Sequence, residues 1–255
     1  FVRHHTHVEV PEYFEAADEL GIMVQSEIPY WAYGSPEDDS YPHVSHMSGG
    51  PKDPPGDLRA LVKHFRRYIS QAIYCGGNEG HYQEAVGKEL HDLAKKLDPS
   101  RPWMGQEGDT NMGASASDLQ CYSRAGSGDA FAVPLLGDEN DCPMIQHEYL
   151  SFSTGDDPRL EPRYRDGYAP NWTMAEAREA AQKAGLEWAQ TEACIEAGYR
   201  LQGIFHKIGI ESSRLCPRID GYSMWLLIDF PPATWNGLLN IFHGRKHSTP
   251  EYFTT

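Results

Sequence analysis

Short apolar runs alternate along the chain with segments in which apolar residues recur at helical spacing. The strand-like runs are Phe1–His7, Ile22–Pro29, Gln71–Glu79, Trp103–Glu107, Asp118–Tyr122, Pro143–Tyr149 and Gly221–Phe230. Strands that alternate with helices build βα units, in which successive strands run parallel. The pattern therefore predicts an α/β protein with a parallel sheet.

Four helical segments lie between these runs, namely Pro11–Leu20, Asp57–Ser70, Glu84–Leu97 and a long one from Thr173 to about Ser212. Asp57 is the predicted N-cap of the second, because its carboxylate can accept from free backbone N–H groups. The third ends before Asp98-Pro99, since the residue before a proline avoids the helical conformation. Glycines at 185, 198, 203 and 209 interrupt the long segment, which predicts two helices there.

Seven strands without a dinucleotide or P-loop fingerprint favour a (β/α)8 TIM barrel over a doubly wound sheet. A closed barrel of this type needs eight strands. We therefore expect that the first strand and its helix are missing from this chain, which looks truncated at both ends. Residues 1–255 would then form one catalytic-type barrel domain holding strands two to eight, with no second domain.

The charge of the chain narrows the classes of partner. Lys and Arg number 22 and Asp and Glu number 37, so the formal net charge is −15. Such a surface repels phosphate backbones and anionic headgroups, so we expect no nucleic acid and no membrane partner. The five cysteines form no CxxC pair, which argues against a zinc knuckle.

Polar residues cluster where the strand-like runs end, and barrel enzymes build their active sites at the carboxyl ends of the strands. The candidates are Arg3, His5 and His7 on one face of the first run, then Glu27, Asn78, Glu79, Tyr122, Glu148 and Trp225. Glu79 and Glu148 end two non-neighbouring runs. Two such residues suggest chemistry carried out by a pair of carboxylates on a neutral substrate.

Several of these segments, taken together, resemble the barrel of glycoside hydrolase family 2, the β-galactosidase and β-glucuronidase family. They are FVRHHTH followed by EYFEAADELGIMVQSEIP, then IYCGGNE, LDPSRP, CYSR, PMIQHEY, GYSMWLLIDF and WNGLLN. The family patterns similar to them are VRxSHYP, ADExGilvwxExP, WSLGNE, LDPTRP, YAR, PxixxEyG, GxxvWxxxDy and NGL. Their common order extends the resemblance over nearly the whole chain.

The resemblance implies a retaining β-glycosidase that acts on terminal sugars. Glu79 would be the general acid/base and Glu148 the nucleophile, with Arg3 and Tyr122 keeping Glu148 ionised. Asn78 would bind the sugar 2-hydroxyl, and Trp225 would form the floor under the ring. No organic cofactor is implied, although some members bind magnesium or sodium. Members usually carry β-sandwich domains before the barrel and often form oligomers, so we expect both of the parent chain.

The chain departs from the family pattern beside these residues. Thr6 stands where the family has histidine, and His5 or His7 could take that role. Leu150 replaces the glycine that follows the nucleophile's tyrosine. These changes leave the identity of the sugar open.

Other interpretations of the same residues remain. His5 and His7 could bind a metal or be ordinary strand histidines, and Glu27 could belong to a salt-bridge layer inside the barrel. Arg159, Arg163 and Arg165 could bind a uronate carboxylate or lie in a solvated loop. The whole chain could be a carbohydrate-binding barrel without turnover, or an endo-acting polysaccharide hydrolase.

Overall fold

The computed structural model describes residues 1–30, 53–78, 82, 84–107, 117–123, 142–165, 169–170, 172–217 and 219–246, with the backbone alone at 120–123 and 147. Helices and strands alternate through this part of the chain, as predicted. In chain order they are β1 (Val2–His4), α1 (Pro11–Leu20), β2 (Val24–Glu27), α2 (Pro54–Phe65), β3 (Gln71–Cys75), α3 (Glu84–Leu97), β4 (Trp103–Met104), β5 (Gln120–Ser123), β6 (Met144–Tyr149), α4 (Trp172–Lys183), α5 (Trp188–Leu215) and β7 (Gly221–Met224).

The described strands form two sheets. One has the order β1-β2-β3-β4 with every pair parallel, and the other has the order β5-β6-β7 with β5 and β6 parallel. The register places Arg3 opposite Gln25 and Tyr122 opposite Gln146. The predicted α/β class with parallel strands is confirmed. Closure into an eight-stranded barrel is not seen among the described strands and stays a prediction.

The chain divides into two compact units. The first contains the described residues of Phe1–Ser123, Leu135–His147 and Arg218–Ser223, and the second contains those of Glu148–Pro217 and Met224–Thr255. The largest apolar core of the first unit is made of side chains from β3, β4, α2 and α3 and from the segment after β2. Among them Leu58, Tyr74, Leu90 and Trp103 have no exposed surface. Burying these faces of α2 and α3 holds the four-stranded sheet in place.

The predicted start and end of α2 are wrong. The helix begins at Pro54, and the N-cap is Asp53, whose carboxylate accepts from the backbone N–H of Gly56 at 3.0 Å. Proline suits a first helical position because its φ is preset and its missing N–H would have no partner there. Asp57 instead accepts a hydrogen bond from the Tyr30 hydroxyl at 2.8 Å.

Two helices replace the long helical segment, which confirms the prediction. Gly185 lies between them with φ +70°, a conformation that costs a glycine little. Glu187 caps α5 in a reciprocal pair with Gln190. A 3-10 helix over Pro158–Arg163, capped by Asp157, was not predicted. No helix of the described residues has the length and hydropathy needed to cross a membrane.

The interior of the second unit holds a buried ion pair. Lys246 Nζ donates to Asp229 Oδ1 at 2.9 Å and to the Trp235 carbonyl at 2.6 Å. Burial raises the pKa of Asp229 and lowers that of Lys246, while their mutual attraction opposes both shifts. The pair ties the end of the described chain to the segment that follows β7.

The buried imidazole of His4 predicts a loss of stability in acid. It lies 4.8 Å from the Tyr13 ring and 5.1 Å from the His7 ring, and burial is the main cause that lowers its pKa from 6.5 to about 4. Between these two values the unfolded chain binds a proton that the folded chain does not. The free energy of unfolding therefore falls as the pH drops through this window, by about 3 kcal/mol from this group.

Urea denaturation at pH 7, 5.5 and 4 measures this effect by comparing the protein with His4→Phe. The loss between pH 7 and pH 4 should be smaller in the variant by about 3 kcal/mol. His64→Phe, on the exposed part of α2, is the matched control and should follow the unaltered protein. Identical pH profiles for His4→Phe and the unaltered protein would contradict the prediction.

Candidate active site

A buried polar cluster lies at the carboxyl ends of the strands of the four-stranded sheet. It consists of Arg3 on β1, Gln25 and Glu27 on β2, Asn78 after β3 and Glu107 after β4. Glu27, Asn78 and Glu107 have no exposed surface, and the Arg3 side chain is 5% exposed. Charged groups are buried at such a cost that they need partners. The contacts inside this cluster therefore determine how it is arranged.

Arg3 joins three strands of the sheet through its guanidinium. Its Nε donates to Glu27 Oε1 at 2.6 Å, and one terminal nitrogen donates to Asn78 Oδ1 at 2.5 Å. Glu27 also accepts from the backbone N–H of Thr6 at 2.7 Å through Oε2. This arrangement corresponds to the salt-bridge interpretation of Glu27.

Glu107 belongs to the same cluster and was not predicted as a site residue. Its Oε2 accepts from Gln25 Nε2 at 2.6 Å, and its Oε1 lies 3.8 Å from Arg3 Nε. The available signal was its position at the end of the strand-like run Trp103–Glu107. A carboxylate ending such a run is expected at the same edge as the ends of its parallel neighbours.

The Asn78 amide has a fixed orientation. Because Oδ1 accepts from Arg3, the donor group Nδ2 is left at the other end of the amide. None of the residues that the structure describes accepts a hydrogen bond from this buried Nδ2. A donor without a partner in a buried site costs about 1–3 kcal/mol, so it indicates a position where a ligand oxygen could bind.

The backbone before Asn78 is held between neighbouring segments. The Asn78 N–H donates to the Tyr30 carbonyl at 2.8 Å, and the Glu107 N–H donates to the Gly77 carbonyl at 2.9 Å. Gly77 has φ +136°, and a Cβ placed there would overlap the Tyr30 carbonyl. Only glycine fits this position, and the tight contact fixes where the Asn78 side chain begins.

Three potential metal ligands lie together in this region. Oxygen atoms of Glu27 and Glu107 and the sulfur of Cys75 lie within 4.8 Å of one another. Burial, followed by the two carboxylates, raises the pKa of Cys75 well above its usual range, so it is a thiol. Arg3 already forms ion pairs with the two carboxylates. A thiol and a guanidinium do not suit the all-oxygen shell that magnesium or sodium prefers, so these residues do not fit either ion.

The side chains of two predicted site residues lie outside the described part of the chain. Glu79 lies outside the described residues, and Tyr122 is described only by its backbone in β5. The predicted approach of Glu79 and Glu148 across one pocket therefore stays a prediction.

Glu148 occupies an unusual backbone conformation near the end of β6. Its φ is +42°, and its side chain is half-buried. The Ser151 hydroxyl donates to its carbonyl at 3.2 Å. Residues other than glycine rarely adopt this region, and those that do are concentrated at functional sites. The strained backbone aims this one side chain differently from a regular strand residue.

Trp225 lies beside the same strand end in the second unit. Its backbone N–H donates to the carbonyl of Tyr149, the residue after Glu148, at 3.0 Å. It follows the last residue of β7 and is half-buried. Trp225, the predicted floor of the sugar site, and Glu148, the predicted nucleophile, thus lie on adjoining segments.

His5 and His7 lie beyond the strand on which they were predicted, because β1 ends at His4. The alternation that puts side chains on one face does not extend to them. His7 is exposed; its Nδ1 lies 2.9 Å from the His5 carbonyl and its Nε2 3.2 Å from a Glu9 oxygen. Among the described residues the two histidines form no group of three metal ligands.

Arg159, a candidate for binding a uronate, already has carboxylate partners. Its Nε and one terminal nitrogen donate to Asp157, and the other terminal nitrogen donates to Glu196 at 2.6 Å. Arg163 lies over the ring of Phe242, with 4.5 Å between its guanidinium carbon and the ring centre. These contacts favour a structural role of both side chains over binding of a uronate carboxylate.

Comparison with known proteins relates the fold to glycosidases. No family model and no curated protein sequence matches the chain. Among solved structures, β-glucuronidase 2 of Bacteroides uniformis matches 99% of this chain with a TM-score of 0.65 at 17% identity. A protein assigned as a β-galactosidase of Bacteroides fragilis matches 99% of it with a TM-score of 0.63 at 18% identity. A β-glucuronidase from an uncultured Clostridium species matches 98% of it with a TM-score of 0.61 at 15% identity.

At these identities the similarity concerns the fold. The chain spans 30%, 36% and 43% of the lengths of those three proteins respectively. It therefore has the fold of a part of each.

Proposed function

We propose that the protein is a retaining β-glycoside hydrolase that acts on the terminal sugars of oligo- or polysaccharides. The observation that carries the proposal is the fold match to glycosidases over 99% of the chain. It is supported by Glu148, whose backbone adopts a positive φ near the end of β6, and by the Asn78 Nδ2 donor, which has no acceptor among the described residues. Unusual backbone and unsatisfied buried donors are both typical of functional sites.

The proposed reaction is a double displacement. The Glu148 carboxylate attacks the anomeric carbon while the bond to the leaving oxygen breaks and Glu79 gives that oxygen its proton. Water then gives a proton to Glu79 and attacks the same carbon, which releases the sugar and frees Glu148. Two inversions leave the configuration of the sugar unchanged. The mechanism needs the two carboxyl groups about 5–5.5 Å apart.

The remaining site residues would bind and orient the sugar. Asn78 would donate from Nδ2 to the 2-oxygen, because its other amide atom is held by Arg3. Trp225 would place its ring under the sugar, where an aromatic face contacts the apolar C–H groups. Tyr122 and Arg3 would stabilise the ionised nucleophile. His5, His7 and Glu27 would belong to the wall of the site.

None of these contacts distinguishes one sugar from another. By their names, several of the structural neighbours act on glucuronides and one on galactosides. The Arg159 guanidinium is paired with Asp157 and Glu196, so this residue offers no ready anchor for a uronate.

A panel of 4-nitrophenyl β-glycosides, including the glucuronide, galactoside and glucoside, tests the proposal. We expect turnover of at least one, with proton NMR showing the β-anomer as the first product. Release of the α-anomer would overturn the retaining mechanism. Binding of these glycosides by calorimetry with no release of nitrophenol would favour a carbohydrate-binding protein. Chain-internal cleavage of a polysaccharide, seen as a ladder of oligomers, would favour an endo-acting hydrolase.

A further inference from the structure

Glu107 lies beside the Asn78 backbone and near Arg3, the residue that holds the Asn78 amide oxygen. The two residues form a parallel bridge between the segments that follow β3 and β4. The Glu107 carboxylate is fully buried and is held by Gln25 at 2.6 Å. Its position is therefore fixed both through the backbone and through the side chain.

Arg3 provides the connection between the two side chains. Its Nε lies 2.6 Å from Glu27 and 3.8 Å from Glu107, while a terminal nitrogen donates to Asn78. In a buried site the attraction of two carboxylates for one guanidinium is weakly screened. The position of the guanidinium between Glu27 and Glu107 therefore determines the geometry of its hydrogen bond to Asn78 Oδ1.

We propose that Glu107, held by Gln25, is a positioning residue that acts through Arg3 to aim the Asn78 donor at the 2-oxygen of a bound sugar. The inference rests on the proposed function for the identity of the ligand. With Glu107 uncharged, Arg3 loses the attraction of this carboxylate and moves towards Glu27, and the contact with Asn78 lengthens. The effect should then appear only for substrates that have a 2-hydroxyl for Asn78 to bind.

Glu107→Gln tests this link because it keeps the shape of the side chain and removes its charge. On a 4-nitrophenyl β-glycoside that the protein hydrolyses, we expect about a tenfold lower kcat/KM, the size of effect that follows the loss of one hydrogen bond between the Asn78 amide and the sugar. On the matching 2-deoxy glycoside the loss should stay under about twofold. In an Asn78→Ala background, the same substitution should also cost under about twofold, because residues acting as a unit are not additive.

The control is Asp118→Asn, a carboxylate that accepts from the backbone N–H of Trp103 at 2.8 Å at the other end of β4. It should lower kcat/KM equally, if at all, on the 2-hydroxy and 2-deoxy substrates. If Glu107→Gln does not fold, Gln25→Met removes the donor that holds Glu107 and should give about a threefold loss on the 2-hydroxy substrate alone. Equal losses on both substrates would overturn the inference.

Failure of the proposed function gives a different result. If the unaltered protein hydrolyses no aryl glycoside, the reaction assignment fails, and the link is then measured by NMR on the Asn78 side-chain amide. Asn78→Asp identifies that signal. A shift of the signal in Glu107→Gln but not in Asp118→Asn would support the link, and an unchanged signal would overturn it.

Discussion

Replacing Glu148 with alanine is expected to lower kcat for aryl β-glycoside hydrolysis by about 10⁴-fold or more, the size of loss that follows removal of a nucleophile. The reason is that the proposed first displacement has no attacking group without this carboxylate. Azide should restore part of the turnover, since the small anion can enter the vacated space and attack the same carbon. The product should then be the α-glycosyl azide, formed by a single inversion.

Two comparisons make this result specific. Glu79→Ala should also respond to azide but give the β-glycosyl azide, because in the proposed mechanism Glu148 would still perform the first displacement. Glu211→Ala, an exposed glutamate paired with Lys207 on α5, is the matched control and should keep full activity. Undiminished activity of Glu148→Ala would remove Glu148 from the mechanism, and a β-azide from that variant would assign it to the acid/base role instead.

Replacing Arg3 with methionine is expected to lower the free energy of unfolding by about 3–5 kcal/mol. The variant keeps a side chain of similar length but leaves the carboxylates of Glu27 and Glu107 buried without their cation. A buried charge that loses its partner costs more than the pair itself contributes. Urea denaturation with the change in tryptophan fluorescence measures the effect.

A second substitution separates charge from packing. Arg3→Met combined with Glu27→Gln removes one of the two carboxylates that lose Arg3 and should recover part of the lost stability. Arg67→Met changes an exposed arginine of the same unit and should alter stability by less than about 0.5 kcal/mol. If Arg3→Met lowers the free energy of unfolding by less than about 1 kcal/mol, the prediction is contradicted. Water or protonation of the carboxylates would then compensate for the missing cation.

The helix bounds show how much of the secondary structure the local sequence pattern can predict. Helices α1 and α3 begin and end where apolar spacing and neighbouring prolines indicated, at Pro11–Leu20 and Glu84–Leu97. Helix α2 was misplaced because Asp53 and Asp57 are equally suitable caps by residue type. Tyr30, distant in the chain, engages Asp57, and this contact has no local signature.

Strand ends were the weakest part of the prediction. The predicted strand-like runs extend past the hydrogen-bonded ladder: β1 stops at His4 and β7 at Met224, before the predicted ends at His7 and Phe230. Ladder length depends on the neighbouring strand, which a run of apolar residues does not reveal. The prediction that His5 and His7 share a strand face with Arg3 therefore does not apply, because both histidines lie beyond the end of β1.

Residue types at the ends of apolar runs were enough to select Arg3, Glu27, Asn78 and Glu148 as candidates, because charge and amide groups are costly inside a core without a purpose. The alternation of strands and helices likewise set the α/β class, since each element is specified by its own periodicity. Only the folded chain decided that Arg3 meets Glu27 and Asn78, 24 and 75 residues away, and that Glu107 joins them. Such contacts depend on strand order and register, which arise from packing between distant segments and leave no trace in local spacing.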